Sequence, residues 1–217
     1  MKQTLNIIIL IGSLLGLNSC KKSSSLLSTN TKSEYKVGDT AFGGIVFYID
    51  GSKKHGMVCA LTDTAVSYEP GSNWNRVYVP TVTGATNTAF GTGALNTSII
   101  VPALANEWNG KNAASYCKNF RGGGYNDWFL PSKDELDTMY HNLGSKGLGG
   151  FYYLSYTSQN NYTFNYYWSS SEAQGQSTQT PGLESQACSE EMDIAGRGYK
   201  TVERKWDVGY VRAARTF

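Results

Sequence analysis

The run Ile7 to Leu17 is almost wholly apolar, follows Lys2, and closes on Leu17-Asn18-Ser19-Cys20. Eleven residues are too few to cross a hydrocarbon core of roughly 30 Å as a helix. The small Ser19 before Cys20 suits a signal peptidase, so residues 1–19 have the pattern of a bacterial lipoprotein signal, removed to leave Cys20 as the lipidated first residue. Thioether-linked diacylglycerol plus an N-acyl chain gives the two or more anchors that stable attachment needs. The expectation is a tethered protein of the cell envelope, on the outer membrane or cell surface, whose membrane contact is that lipid.

Residues 21–36, KKSSSLLSTNTKSEYK, are polar and carry no apolar periodicity, so 20–36 is read as the lipidated cysteine and a flexible linker. Such a linker spans about 22 Å on average. The 181 residues from 37 to 217 are enough for one domain with a sizeable core.

The charge balance narrows the partners. Removing 1–19 takes only Lys2 from 19 basic residues, leaving 18 against 17 acids. With no Lys/Arg cluster to neutralise phosphates, a nucleic-acid partner is not expected. Tyr, Trp, Asn, Ser and Thr abound, a composition shared by sugar-binding domains and by secreted β-rich domains that bind nothing. Beyond Cys20 the cysteines are Cys59, Cys117 and Cys188, which allow one disulfide in three pairings. His55 and His141 are far apart and no CxxC pair exists, so neither a metal nor a cofactor is expected.

Local patterns predict few elements. Val37 to Asp50 ends in a β-branched and aromatic run, and Asp50-Gly51 is a turn signal before Gly56 to Leu61, so a hairpin is expected. Residues 62–93 read mostly as loop, with Trp74 as its anchor. A turn near Ile99 and Ile100 precedes a helix from Ala103 to Phe120, ended by Arg121-Gly122-Gly123-Gly124. Pro131 and Ser132 open a second helix in which Ser132 and Glu135 form a capping box. Val208 to Phe217 reads as one closing strand whose natural partner is the first hairpin.

The segments GGIVFYID at 43–50, GTGALNT at 91–97, GGYNDWFLPSKDEL at 123–136, YWSSSE at 167–172 and VRAARTF at 211–217, in that order and spacing, resemble the Lcl C-terminal-domain family across nearly all of 37–217. The resemblance implies an α+β, C-type-lectin-like fold: two helices, twisted antiparallel sheets and paired terminal strands, a fold shared with formylglycine-generating enzyme. It also implies a cell-surface binding module, since a member of the family is an adhesin for sulfated polysaccharide. This chain departs from that pattern at Phe129, where the family often has Arg, and in a long 173–207 segment.

Within those motifs, Trp128 and Leu130 are expected to pack beneath the second helix. Trp168 is expected at a strand edge, and Glu172 to pair with Arg212 or Arg215. The oxidase chemistry of the enzyme relatives uses a close cysteine pair near the C-terminal part of the fold, where only Cys188 stands, so catalysis is not expected. Candidate ligand-binding residues are Tyr152, Tyr156, Gln159, Asn160, Asn161, Tyr162 and Asn165, helped by Trp74, because aromatic faces stack on sugar rings and amides bond hydroxyls. The expected ligand is a glycan or surface polymer, recognised without catalysis. The alternative is a protein partner in an envelope assembly.

Overall fold

The computed structural model describes residues 34–67, 81–152, 155–156, 162–163, 166–173, 186–191, 198–205 and 207–217. The expected signal, Cys20 and most of the expected linker lie outside those residues, as do Trp74, Gln159, Asn160, Asn161 and Asn165.

In chain order the strands and helices are β1 (Thr40–Ala41), β2 (Gly44–Ile49), β3 (Gly56–Cys59), β4 (Thr64–Ser67), α1 (Gly93–Ala103), α2 (Ala113–Asn119), α3 (Lys133–Asn142), β5 (Ser155–Tyr156), β6 (Tyr162–Thr163), β7 (Tyr166–Glu172), β8 (Gln186–Glu191), β9 (Tyr199–Arg204), β10 (Val208–Val211) and β11 (Ala214–Thr216). One sheet runs β1-β2-β3-β11 and a second runs β4-β10-β7-β8-β9, with β5-β6 a separate small ribbon. Every pairing is antiparallel except β10 with β7. The fold is α+β.

Strands β3 and β7 are buried on both faces, and successive residues divide between two cores. Val46, Val58, Trp128, Leu130 and Trp168 join Ile100, Leu104 and Cys117 of the α1–α2 region. Phe47, Met57, Cys59, Phe129 and Tyr167 join Leu136, Met139, Tyr140 and Leu143 of the α3 side. Two-faced burial removes the apolar–polar alternation of a strand with one wet face, so β3 and β7 are buried at every position. The two apolar neighbours of Phe129 therefore point away from α3, and Phe129 is the residue that packs on it. The expectation that Trp128 and Leu130 lie beneath that helix is corrected accordingly.

The first hairpin forms as expected, and β11 pairs with β3 through Ala214↔Cys59, Arg215↔Val58 and Thr216↔Met57. The closing segment, however, is two strands. After β10 the chain leaves the second sheet, Ala60 N–H donates to Ala213 O at 2.8 Å, and β11 enters the first sheet.

Among the described residues there are three α-helices where two were expected. The segment expected to run helically from Ala103 to Phe120 is broken at Asn109 and Gly110, whose φ values are 59° and 69°. Helix α2 then restarts with a capping box of its own, Asn112 Oδ1 accepting from Ser115 N–H and Ser115 Oγ from Asn112 N–H. The box at α3 is present as read: Ser132 Oγ accepts from Glu135 N–H, and Glu135 Oε2 accepts from Ser132 N–H at 2.7 Å. Glu135 also accepts from Gly91 N–H, tying the loop before α1 to the start of α3.

Candidate functional site

The site is built outward from Arg212, which the crossing between β10 and β11 turns wholly inside. Its Nε donates to Asp63 Oδ1. Nη1 donates to Ala60 O at 2.9 Å and Gly149 O at 2.8 Å, and Nη2 to Gly150 O at 3.3 Å. The guanidinium lies 4.2 Å from the Phe151 ring centroid. A planar fork with five donors is the side chain suited to so many acceptors. Gly149 and Gly150 adopt φ of 84° and 61°, a left-handed pair that glycine accepts without strain and that aims both carbonyls at Arg212.

The other carboxylate oxygen of Asp63 accepts the Tyr167 hydroxyl, and that hydroxyl in turn accepts Tyr152 N–H at 2.9 Å. Burial, reinforced by the Asp63 charge, pushes the Tyr167 phenol well above its ordinary range, so it remains a proton donor to Asp63. At the outer end of this chain, Tyr152 is 53% exposed and stacks on the half-buried Tyr210, ring centroids 4.5 Å apart and planes 14° from parallel. The result is an exposed aromatic surface whose backbone is fixed from below by buried hydrogen bonds.

Of the expected binding residues, Tyr152 is therefore placed at the surface. Tyr156 and Tyr162 are in-register backbone partners in the β5–β6 ribbon. Tyr210, Asp63, Gly149 and Gly150 were not read as site residues. The alternation of β10 and the Gly-Gly pair at 149–150 were the available signals.

The motif residues have partners other than those expected. Glu172 does not pair with either arginine. It bonds Lys205 Nζ at 2.5 Å and accepts from the N–H groups of Thr83 and Gly84. Arg215 instead makes a two-pronged contact with Asp127, at 2.7 and 3.0 Å, donates to Phe42 O, and lies 3.7 Å over the Tyr125 ring. Trp168 is on β7, the centre of the five-stranded sheet rather than an edge, and its indole N–H donates to Val66 O at 3.2 Å. Trp128 donates to Gly122 O at 3.2 Å, and Pro131 O accepts from Ser170 N–H at 2.7 Å.

The serines after Trp168 satisfy surrounding loops. Ser169 Oγ donates to Cys188 O, Ser170 Oγ accepts from Asn96 Nδ2, and Ser171 Oγ donates to Asn87 O. Cys59, Cys117 and Cys188 are all buried free thiols. Burial pushes the Cys59 thiol up to about 12 against the opposing pull of Arg212, and it raises Cys117 and Cys188 as well.

A groove of about 800 Å³ opens between α2 and the β4–β10 edge. Tyr116, Phe120, Val66 and Val208 give it apolar walls, and Lys111 and Arg121 lie on its lining without any carboxylate. Its residues come from three distant segments, none with a motif, which is why sequence reasoning missed it.

No protein-family model matches the chain, and no curated protein matches it. Among solved structures, a fimbrial protein from Bacteroides ovatus is similar at a TM-score of 0.46 and 14% identity, over 85% of this chain and 45% of that one. The chain thus spans less than half the length of that protein.

Proposed function

We propose that the protein is a lipid-anchored, non-catalytic binding module of the cell envelope, related to the Lcl C-terminal domains, that recognises a glycan or surface polymer. The observation that carries this reading is the Tyr152–Tyr210 stack, exposed yet held rigid through Tyr167, Asp63 and Arg212. A fixed aromatic face binds a sugar ring with little ordering cost, because the loop is set before the ligand arrives. The non-catalytic part rests on thiols that burial keeps protonated and on carboxylates committed to structural partners at Asp63, Glu135 and Glu172. Lys111 and Arg121 offer a local site for an acidic substituent that the near-neutral net charge conceals.

The test is a glycan array probed with the purified protein and with Tyr152→Ala and Tyr210→Ala variants, with calcium or chelator at two salt concentrations. Loss of one stacking ring is expected to weaken binding about tenfold at an unchanged thermal midpoint. Undiminished binding by both folded variants would remove the platform from the mechanism. Absence of saturable binding by the native protein would shift the reading to a protein partner, sought by membrane pull-down.

A further inference from the structure

Glu190 lies in β8 directly opposite Tyr167 of β7 and Lys200 of β9. Directly opposed residues share a face of a sheet, and Tyr167 belongs to the core on the α3 side. Glu190 therefore projects into the seam between β8 and α3. It is 1% exposed, and its Oε2 atom has no hydrogen-bond partner. A buried carboxylate oxygen without a donor is costly when charged, and native proteins rarely leave one so.

The surroundings explain why no cation answers it. From α3, Lys133, Asp134, Asp137 and His141 line this side. From the sheet come Cys188 of β8, Lys200 of β9 and Tyr167, while Glu191, opposite Tyr166 on the other face of β8, adds a weaker repulsion. Lys200 Nζ is engaged by Asp137 Oδ2 at 2.9 Å, and His141 Nε2 approaches Asp137 Oδ1 at 3.3 Å. Lys200 is thus drawn to Asp137, and Asp137 sets a second negative charge toward Glu190. The seam is also tight: a Cβ at Gly198, just before β9, would lie 2.3 Å from the Tyr140 ring of α3.

We propose that this seam is a proton-operated latch, in which α3 seats fully on β8 and β9 while Glu190 is neutral and loosens from them when Glu190 ionises. Burial first, then Asp137, lifts the Glu190 carboxyl to about 7, against the opposing pull of Lys200 and Lys133. The sign follows from that direction. A carboxyl raised above its unfolded value near 4.5 stabilises the folded state fully below that value, and the contribution is lost as pH rises through about 7. The latch is closed in mildly acidic surroundings and open in mildly alkaline ones.

The test is amide hydrogen exchange on the intact protein at pH 5.5 and 8.5, corrected for intrinsic exchange rates, with Glu190→Gln alongside. The native protein is expected to lose at least tenfold protection in α3 and in β8–β9 over that interval, and the neutral glutamine variant to lose none. Protection that is unchanged in the native protein, or that falls equally in the variant, overturns the latch. If Glu190→Gln does not fold, Asp137→Asn serves. Removing the facing charge and releasing Lys200 must move the midpoint of the transition to lower pH, and a midpoint that stays in place refutes the proposal.

Discussion

Arg212 and Arg215 stand three residues apart on the closing run of the chain, each facing one aspartate, yet they occupy opposite physical regimes. The Arg212 and Asp63 side chains are 0% and 1% exposed, whereas Asp127, opposite Arg215, is 51% exposed. Burial makes the inner pair dependent on completeness. Arg212 also donates to three carbonyls and Asp63 also accepts from Tyr167, because charges withdrawn from water need every donor and acceptor answered. The outer pair has a two-pronged geometry but keeps its acid in solvent, where screening leaves little net energy. Similar chemistry thus organises the domain in one place and trims its surface in the other.

Breaking the inner pair should have the largest effect. Asp63→Asn leaves a guanidinium that cannot shed its proton inside the protein, and a cost of about 3–5 kcal/mol is expected from chemical denaturation. The Gly149–Gly150 turn and Tyr152 should lose protection from hydrogen exchange with it. A loss below about 1 kcal/mol would mean that the three carbonyls alone hold Arg212.

Glu172 and Lys205 sharpen the comparison, being buried like the inner pair but built on an amine. Glu172→Gln is expected to cost about 2–3 kcal/mol near neutral pH, less than the inner pair, since the Lys205 ammonium loses its charged partner but keeps the Thr81 carbonyl, and the amide retains shape. Denaturation curves of the two variants measured side by side at neutral pH check the order. A Glu172→Gln cost as large as that of Asp63→Asn would show that the Thr81 carbonyl gives the Lys205 ammonium no relief.

What the sequence revealed depended on the range of the signal. The Ser132–Glu135 box and the Asp50-Gly51 turn are local chemistry, complete within a few residues, and both formed where they were read. The break at Asn109-Gly110 and the Asn112–Ser115 box were equally local, but a single helix from Ala103 to Phe120 was read across them. Ion-pair partners were illegible for another reason. Glu172, Arg212 and Arg215 were read as ion-pairing with one another, but Lys205, Asp63 and Asp127 become their partners only through sheet order and the crossing after Val211. The two-faced burial of β7 likewise hid Trp168's central position, because a strand covered on both sides has no alternation to betray its place. Of the candidate site, Tyr152 was legible as a tyrosine in a polar stretch. Its support by Tyr167 was not.

The smallest effect belongs to the outer pair, and it tests whether exposure rather than geometry sets the scale. Arg215, through its hydrogen bonds and then its charge, holds the Asp127 carboxyl below the usual carboxylate range against a modest opposing effect of burial. A depressed carboxyl stabilises the fold above its unfolded value, and the contribution disappears as pH falls through the lower folded value. Asp127→Asn should therefore cost about 0.5–1 kcal/mol at neutral pH and low salt, less at 0.5 M salt, and nothing once acid has protonated the native carboxyl. Arg215 stays in place in the variant, because its contact with Phe42 O and the face of Tyr125 survives the loss of charge. A penalty as large as that of Asp63→Asn, unmoved by salt, would show that the two-pronged geometry alone gives an ion pair its strength, and the distinction between the two arginines would fall.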